Sequence, residues 1–460
     1  MEIDRRRFLA LAASVMAVNG CTNRADRRLP NFIVIITDDQ GYQDLGCYGS
    51  PDIATPRLDA MAAEGVRFTD FYAAAPVCTP SRAALMTGCY PMRVGLPQVL
   101  GPQSRIGIAE EEITLAELLK TAGYATACIG KWHLGHHQSF LPLRHGFDYF
   151  FGIPYSNDMD RQPGHPPIPL MRGGEIIEQP VVQETLTERY TQEAIDFIRR
   201  NREKPFFLYL AHTMPHVPLS VSPRFRGKSK RGLYGDVIEC IDWGVGQILD
   251  SVRDLDLEKD TLVVFTSDNG PWLVKGDHAG SALPLRGGKA TTWEGGMRVP
   301  CLARWPGKIK AGSVCSQLCT NMDFYPTLAG LAGISLPTDR IIDGKDMWPL
   351  MSSPETAESA YEAFFYYRVE RLEAVRSGVW KLMLPRLPEP GRQETATGAL
   401  LYNLGTDIGE THDCSQEHPD IVRRLSEMAE KCREDLGDRY YNRQGKNCRP
   451  PGSLPENELD

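Results

Sequence analysis

A few short stretches carry residues that could do chemistry. Asp38-Asp39 stand in "ITDDQGYQDLGCYG" (36–49) and Asp268-Asn269 in "FTSDNGP" (265–271). Three carboxylates and an amide oxygen make a hard, all-oxygen donor set, suited to Ca²⁺ or Mg²⁺ rather than to a soft metal. Lys131 and His133 stand in "GKWHLGHHQ" (130–138), His216 closes "AHTMPH" (211–216), and Lys289 lies in "LRGGKATTWEGG" (285–296). Beside a metal, such lysines and histidines read as anion-binding and proton-transfer groups. His136 and His137 follow closely, but no Cys or Glu cluster accompanies them. They read as surface histidines, not zinc ligands. The glycine-rich stretch around Lys289 lacks the GxxxxGK[ST] pattern of a phosphate loop.

Cys78 stands in "AAAPVCTPSRAALMTG" (73–88). Pro80 near the start, small polar residues at the turn and Gly88 at the end predict a short helix entered through a tight loop. Cys78 then sits at a helix N-terminus, where backbone N–H groups and the dipole favour negative charge. Three readings stand open: a thiolate nucleophile, half of a disulfide, or something else.

The elements that must position these residues follow from apolar runs. "NFIVIIT" (31–37), "TACIG" (126–130), "PFFLYLA" (205–211) and "TLVVFTS" (261–267) are nearly continuous apolar runs, as in strands buried on both faces. Each leads into one of the polar groups above. Helical patterns lie between them, at 55–65, 114–123, 187–201 and 234–255. Alternating strands and helices predict an α/β fold with a large, mixed but mostly parallel sheet between helices. Sites in such folds form beyond the carboxyl ends of the strands. After about residue 350, short strand candidates at 362–367, 373–378, 380–384 and 399–404 predict a smaller C-terminal α+β subdomain on an antiparallel sheet. A closing helix is expected over 419–436, then a free tail ending "RPPGSLPENELD". The expected units are a leader and linker (1–29), a catalytic domain (30–352), the C-terminal subdomain (353–440) and the tail (441–460).

The chain has 460 residues, of which 42% are hydrophobic and 24% charged, with a net charge of −8. That is ordinary for a globular protein, and the negative charge argues against a nucleic-acid partner. The 12 cysteines show no zinc-type CxxC pairs. At the N-terminus, Arg5-Arg6-Arg7 precede an apolar stretch from Phe8 to Val18, too short to span a bilayer and laid out like a signal peptide. Asp4 to Leu9 resembles a twin-arginine export motif. Val18-Asn19-Gly20-Cys21 resembles a lipobox, with Cys21 the lipidated residue. Export to the periplasm or cell surface is expected, with a membrane link only through a lipid anchor at Cys21.

Together these pieces resemble the formylglycine-dependent sulfatases of the alkaline phosphatase-like superfamily. The signature Cys-x-Pro-x-Arg stands as Cys78-Thr79-Pro80-Ser81-Arg82, and the second signature as "GYATACIGKWHLG" (123–135). Further matches are "GFDYFFGIPYSND" (146–158), "GGKATTWEGGMRVP" (287–300) and "LYNLGTDIGE" (401–410), in family order from about Asn31 to about Cys414. The texture is similar to that of arylsulfatase A, N-acetylgalactosamine-6-sulfatase and bacterial polysaccharide sulfatases.

The resemblance implies a sulfuric ester hydrolase. A separate maturation enzyme would oxidise Cys78 to Cα-formylglycine (3-oxoalanine), whose hydrate is a gem-diol. One diol oxygen attacks sulfur and the alcohol leaves; the second hydroxyl collapses to expel sulfate and restore the aldehyde. Asp38, Asp39, Asp268 and Asn269, with the diol from Cys78, match calcium ligands. Arg82 matches the residue that holds the diol, and Lys131 and Lys289 the lysines that neutralise the sulfuryl group. His216 matches the acid for the leaving oxygen, His133 the base for sulfate elimination, and Ser156 a polar contact to sulfate. His278 in "KGDHAGS" is a substrate-contact candidate without a family counterpart. The expected substrate is a sulfated glycan carrying galactose or N-acetylgalactosamine, with Arg161 and Arg172 in the variable 158–185 loop available to an anionic polymer. Two alternatives share the features: a phosphodiesterase or phosphonate monoester hydrolase of the same superfamily, and a catalytically silent glycan-binding surface protein.

Overall fold

The computed structural model describes residues 28–161, 164–386 and 397–454. The expected leader with its arginines and Cys21, most of the variable 385–398 loop and the last six residues lie outside the described residues.

A ten-stranded sheet forms the centre. Its middle five strands are parallel, in the order Thr261–Ser267, Asn31–Thr37, Phe206–Ala211, Ala125–Lys131 and Tyr149–Ile153. Antiparallel strands extend both sides, beginning with Cys301–Arg304 beside Thr261–Ser267 and Leu170–Arg172 beside Tyr149–Ile153. Alternation along Asn31–Thr37 splits its side chains between two cores. Phe32, Val34 and Ile36 face a layer holding the helices Cys78–Thr87, Leu115–Lys120 and Phe324–Leu331. Ile33 and Ile35 face the helices Pro56–Ala63, Leu186–Arg200 and Leu233–Asp254. Apolar side chains on both faces are what the continuous runs require.

The register levels the strand ends. Thr37 lies opposite Ser267, Ile36 and Gly130 opposite Ala211, and Lys131 opposite Ile153. Everything that follows these residues therefore leaves the sheet along one edge. Gly130 serves this alignment: at φ +107°, a Cβ there would fall 1.8 Å from the carbonyl oxygen of Ala211. Only glycine permits that approach, directly before Lys131.

A separate four-stranded antiparallel sheet, in the order Phe364–Arg368, Arg371–Ser377, Trp380–Met383 and Leu400–Asn403, forms the C-terminal unit. The helix Pro419–Leu436 packs on it through Leu425 and Ala429. The same apolar cluster takes in Tyr72, Ala84 and Met297 of the larger unit.

Two expectations change here. The strand Tyr149–Ile153 is absent from the sequence reading, because a five-residue run interrupted by Gly152 gives little periodic signal. The expected free tail is docked as far as Leu454: Gly452–Ser453 pairs with Ile106–Gly107, and Arg449 binds Glu112 at 2.6 Å. That ladder, a second one between Gly437–Asp438 and Arg443–Gln444, and a partly buried ion pair outweigh its polar composition.

Candidate active site

The level strand ends bring the predicted residues together. Asp38 and Asp39 follow the Asn31–Thr37 strand, Asp268 and Asn269 follow Thr261–Ser267, Lys131 ends its own strand, and Ser156 follows Tyr149–Ile153. The helix Cys78–Thr87 presents its first residue to this edge, with Val77 extended before it and Gly88 left-handed (φ 67°) after it. Asp39, His133 and Ala290 all have left-handed backbone (φ 66°, 64° and 64°). Such non-glycine conformations persist where the surrounding fold imposes them, as at functional sites.

One ligand atom from each of Asp38, Asp39, Cys78 and His216 lies within 4.8 Å of the others, and all four residues are buried. Three cations interleave with the carboxylates. Lys131 Nζ donates to Asp38, and to Ser156 Oγ at 3.2 Å. Lys289 Nζ lies 2.7 Å from Asp39 Oδ1 and 3.9 Å from Cys78 Sγ. Arg82 donates to Asp268 and to the Lys131 carbonyl oxygen (2.8 Å). Asn269 Nδ2 donates to Asp39 Oδ1 at 2.8 Å.

Burial and charge set the protonation states. Burial pushes the Cys78 thiol up to about 12 against the pull of Lys131 and Lys289. Among the described residues Cys78 pairs with no other cysteine. The thiolate reading fails because burial outweighs the pull of both lysines, and the disulfide reading fails because Cys78 has no partner cysteine among the described residues. Burial raises Asp268 to about 7, reinforced by Asp38. Burial acts on Asp38 too, but the Lys131 ammonium and then the Arg82 guanidinium hold it well below the usual carboxylate range. Burial keeps His216 neutral, lowered to about 3, with Lys289 adding to the effect. His133 is likewise pushed well down by burial, then by Lys131 and Arg82.

The histidines are oriented by groups the sequence reading missed. His216 Nδ1 lies 3.1 Å from Asn157 Oδ1 and 2.6 Å from the Val217 carbonyl oxygen, leaving Nε2 3.6 Å from Asp39. His133 Nε2 meets the Leu100 carbonyl oxygen at 2.7 Å, and its Nδ1 is buried without a partner. Trp272 lies under both Lys289 (4.6 Å) and His216 (5.5 Å, ring to ring). Asn157 stands inside the quoted 146–158 stretch, one residue after Ser156, and Trp272 directly follows 265–271; those positions were the available signal.

A divalent cation fits this donor set. Asp38 Oδ1 and Asn269 Oδ1 are buried oxygens without a hydrogen-bond partner, a costly state for polar atoms unless something else meets them. Both are hard oxygen donors.

Other candidates stand apart. His278 is exposed at the end of the Leu273–His278 segment, with no hydrogen bond or ion pair to the cluster among the described residues. The His136 and His137 rings lie 4.1 Å apart at a tilt of 41°, outside the cluster. Arg161 is exposed, whereas Arg172 is bound to Glu193 at 2.5 Å and lies over the Phe151 ring, so it braces the sheet edge.

Comparison with known proteins agrees with this geometry. The family model described as Sulfatase matches residues 30–334, and one described as N-sulphoglucosamine sulphohydrolase, C-terminal, matches residues 288–434. The N-acetylgalactosamine-6-sulfatase of Canis lupus familiaris is 39% identical, over 97% of this chain and 94% of its own. The steryl-sulfatase of Homo sapiens is 40% identical over 76% of this chain and 75% of its own. Among solved structures, Ps i-CgsB in complex with k-i-k-neocarrahexaose superposes with a TM-score of 0.75 at 33% identity, over 88% of this chain and 92% of that one.

Proposed function

This chain belongs to the sulfatase family and is a sulfuric ester hydrolase acting on sulfated glycans, and from that premise we propose that Cys78, matured to formylglycine, is its nucleophile and that galactose or N-acetylgalactosamine sulfate is its substrate. The observation that carries the reading is the buried convergence of Asp38, Asp39, Cys78 and His216 between Lys131, Lys289 and Arg82. When bound, Ca²⁺ would supply Lewis-acid stabilisation of the ionised nucleophile, held by Asp38, Asp39, Asp268 and Asn269. The matured Cys78 would supply a gem-diol, one oxygen for attack on sulfur and one to expel sulfate.

The remaining roles belong to the chain's own side chains. Lys131 and Lys289 approach the Cys78 position from two sides and neutralise the sulfuryl oxygens, assisted by Ser156. Arg82 holds the Cys78 end of the helix to Asp268. His216, its Nδ1–H fixed on the Asn157 and Val217 oxygens, aims Nε2 at the leaving oxygen and acts as acid there in its protonated form, which the negative charge of a bound sulfate ester favours. His133, tied to Leu100 through Nε2, keeps Nδ1 for the second proton transfer.

Charge supports a monoanionic substrate. With a cation bound to hold Asp268 ionised, Asp38, Asp39 and Asp268 balance Arg82, Lys131 and Lys289, and the divalent cation leaves two positive charges in excess. An ionised nucleophile and a singly charged sulfate ester would neutralise them, whereas a dianionic phosphate monoester would overshoot. The sugar preference rests on likeness to N-acetylgalactosamine-6-sulfatase over nearly the whole of both chains.

The leader residues suggest export to the periplasm or surface, with Cys21 as lipid anchor; no helix among the described residues is long and apolar enough to cross a membrane. The decisive test co-expresses the chain with a formylglycine-generating enzyme. The tryptic peptide spanning Cys78 is then weighed, and release of sulfate or phosphate is followed on sulfated galactose and N-acetylgalactosamine sugars and on phosphate diesters. A persistent thiol in an active enzyme, or phosphate diesters turned over far faster than sulfate esters, would overturn the proposal.

A further inference from the structure

Lys381 belongs to the C-terminal sheet, yet its side chain ends inside the loop that carries Lys289. Its Nζ donates to the Thr292 carbonyl oxygen (2.8 Å) and to Glu294 Oε1 (2.9 Å), and lies 2.7 Å from Glu410 Oε1. The Thr292 and Glu294 oxygens each accept an N–H of the ammonium, and Glu410 is its second ion-pair partner. Lys381, Glu294 and Glu410 are all fully buried.

The same cluster grips the loop at further points. Glu410 Oε2 accepts from the Glu294 backbone N–H (2.8 Å), and the Glu410 carbonyl oxygen accepts from Arg286 (2.8 Å). Glu373 accepts from Thr292 Oγ1 at 2.7 Å. Lys289 lies between these grips. Its own N–H bonds the Pro271 carbonyl oxygen, and the next N–H, of Ala290, bonds Pro76, two residues before Cys78. The loop is thus stretched between the Cys78 turn on one side and the C-terminal sheet on the other.

A buried ion cluster of this kind is not needed for stability, since apolar residues would fill the space as well or better. It does supply direction: the ammonium fixes a backbone carbonyl three residues beyond Lys289. We propose that Lys381, held by Glu294 and Glu410, is a positioning residue that sets where Lys289 Nζ stands beside Cys78, making the C-terminal subdomain part of the catalytic apparatus. This rests on the reading that Lys289 neutralises the sulfuryl group.

A double-mutant cycle tests it, with kcat and KM measured on one sulfate ester for the matured wild type, Lys381→Met, Lys289→Ala and the double variant. Misplacement of a charged group by an ångström costs on the order of 10²-fold in rate. Lys381→Met should lower kcat by ~10–100-fold with KM changed far less, and should cost under about 3-fold more when Lys289 is already alanine. Lys381→Arg, which keeps the charge and the donors, should recover part of kcat. If the two losses multiply in the double variant, Lys381 does not act through Lys289 and the proposal fails. If Lys289→Ala alone leaves kcat unchanged, the reading of Lys289 fails first, and the cycle separates the cases. Glu410→Gln, which leaves Lys381 paired with Glu294, provides the same cycle should Lys381→Met not accumulate as folded protein.

Discussion

Arg82 places Nε and Nη2 at 2.9 and 2.8 Å from a single carboxylate oxygen of Asp268, and neither side chain reaches solvent. The same guanidinium holds the Lys131 carbonyl oxygen at 2.8 Å and stands 3.5 Å from Asp38. One side chain thereby ties the helix that begins at Cys78 to three different strand ends.

Removing that tie leaves buried carboxylates without their partner. Arg82→Ala should destabilise the fold by ~3–5 kcal/mol, the usual cost of breaking a buried pair from one side. Arg82→Lys keeps the charge but loses the planar fork and should recover only part. Urea denaturation measures both; a midpoint within error of wild type for Arg82→Ala would refute the structural role.

Cys78→Ala should fold with near-wild-type stability, since the thiol makes no bond that holds an element in place, and should release no sulfate. The unmatured thiol, 2% exposed and raised to about 12, should resist iodoacetamide at pH 8 until the chain is unfolded. Labelling followed by peptide mass spectrometry checks this. Fast native labelling would mean an accessible thiolate after all.

Chelation should weaken the protein. Stripping divalent ions with EGTA should lower the melting temperature, and Ca²⁺ at about 100 times its Kd should restore ~2.7 kcal/mol. Asp38→Asn, which removes one of the buried oxygens' charges, should abolish the response. A melting curve indifferent to Ca²⁺ in the wild type would refute the assigned donors without any assay of turnover.

Asp242 gives a pH dependence far from the active site. Its carboxylate accepts from the Arg57 and Leu58 backbone N–H groups, capping the helix Pro56–Ala63, whose own Thr55 makes no side-chain cap. Burial raises it from 3.8 to about 6. The folded state keeps a proton that the unfolded state gives up, so this contribution is whole below about pH 3.8 and is lost as pH rises through about 6. Relative to wild type, Asp242→Asn should gain up to about 3 kcal/mol between pH 4 and neutrality. Urea midpoints at both pH values, for both proteins, read this directly; a constant difference would contradict it.

The four central strands were legible because burial on both faces writes them as unbroken apolar runs, and the polar residues directly after each run were legible for the same reason. The fifth, Tyr149–Ile153, hid behind Gly152, and with it the role of Asn157 in orienting His216. The local signal at Cys78 left three readings open. Its helix start is a local signal, whereas the desolvation that keeps it a thiol comes from the whole packed fold. Likewise Lys381, Glu294 and Glu410 are ordinary charges in the sequence, far apart, and only tertiary packing places them in one buried cluster. His278, close in sequence to Asp268, is exposed and makes no hydrogen bond or ion pair to the cluster among the described residues.

The helix Cys78–Thr87 is buried along its entire length. On the proposed chemistry this turns activation into a race. A modifying enzyme needs the Cys78 turn as extended, accessible chain, and folding withdraws it. Chains that close first would be well folded, stable and inert, with no route back short of unfolding. The active fraction of a preparation would then be set at synthesis, by the ratio of two rates, and not by anything done to the purified protein afterwards.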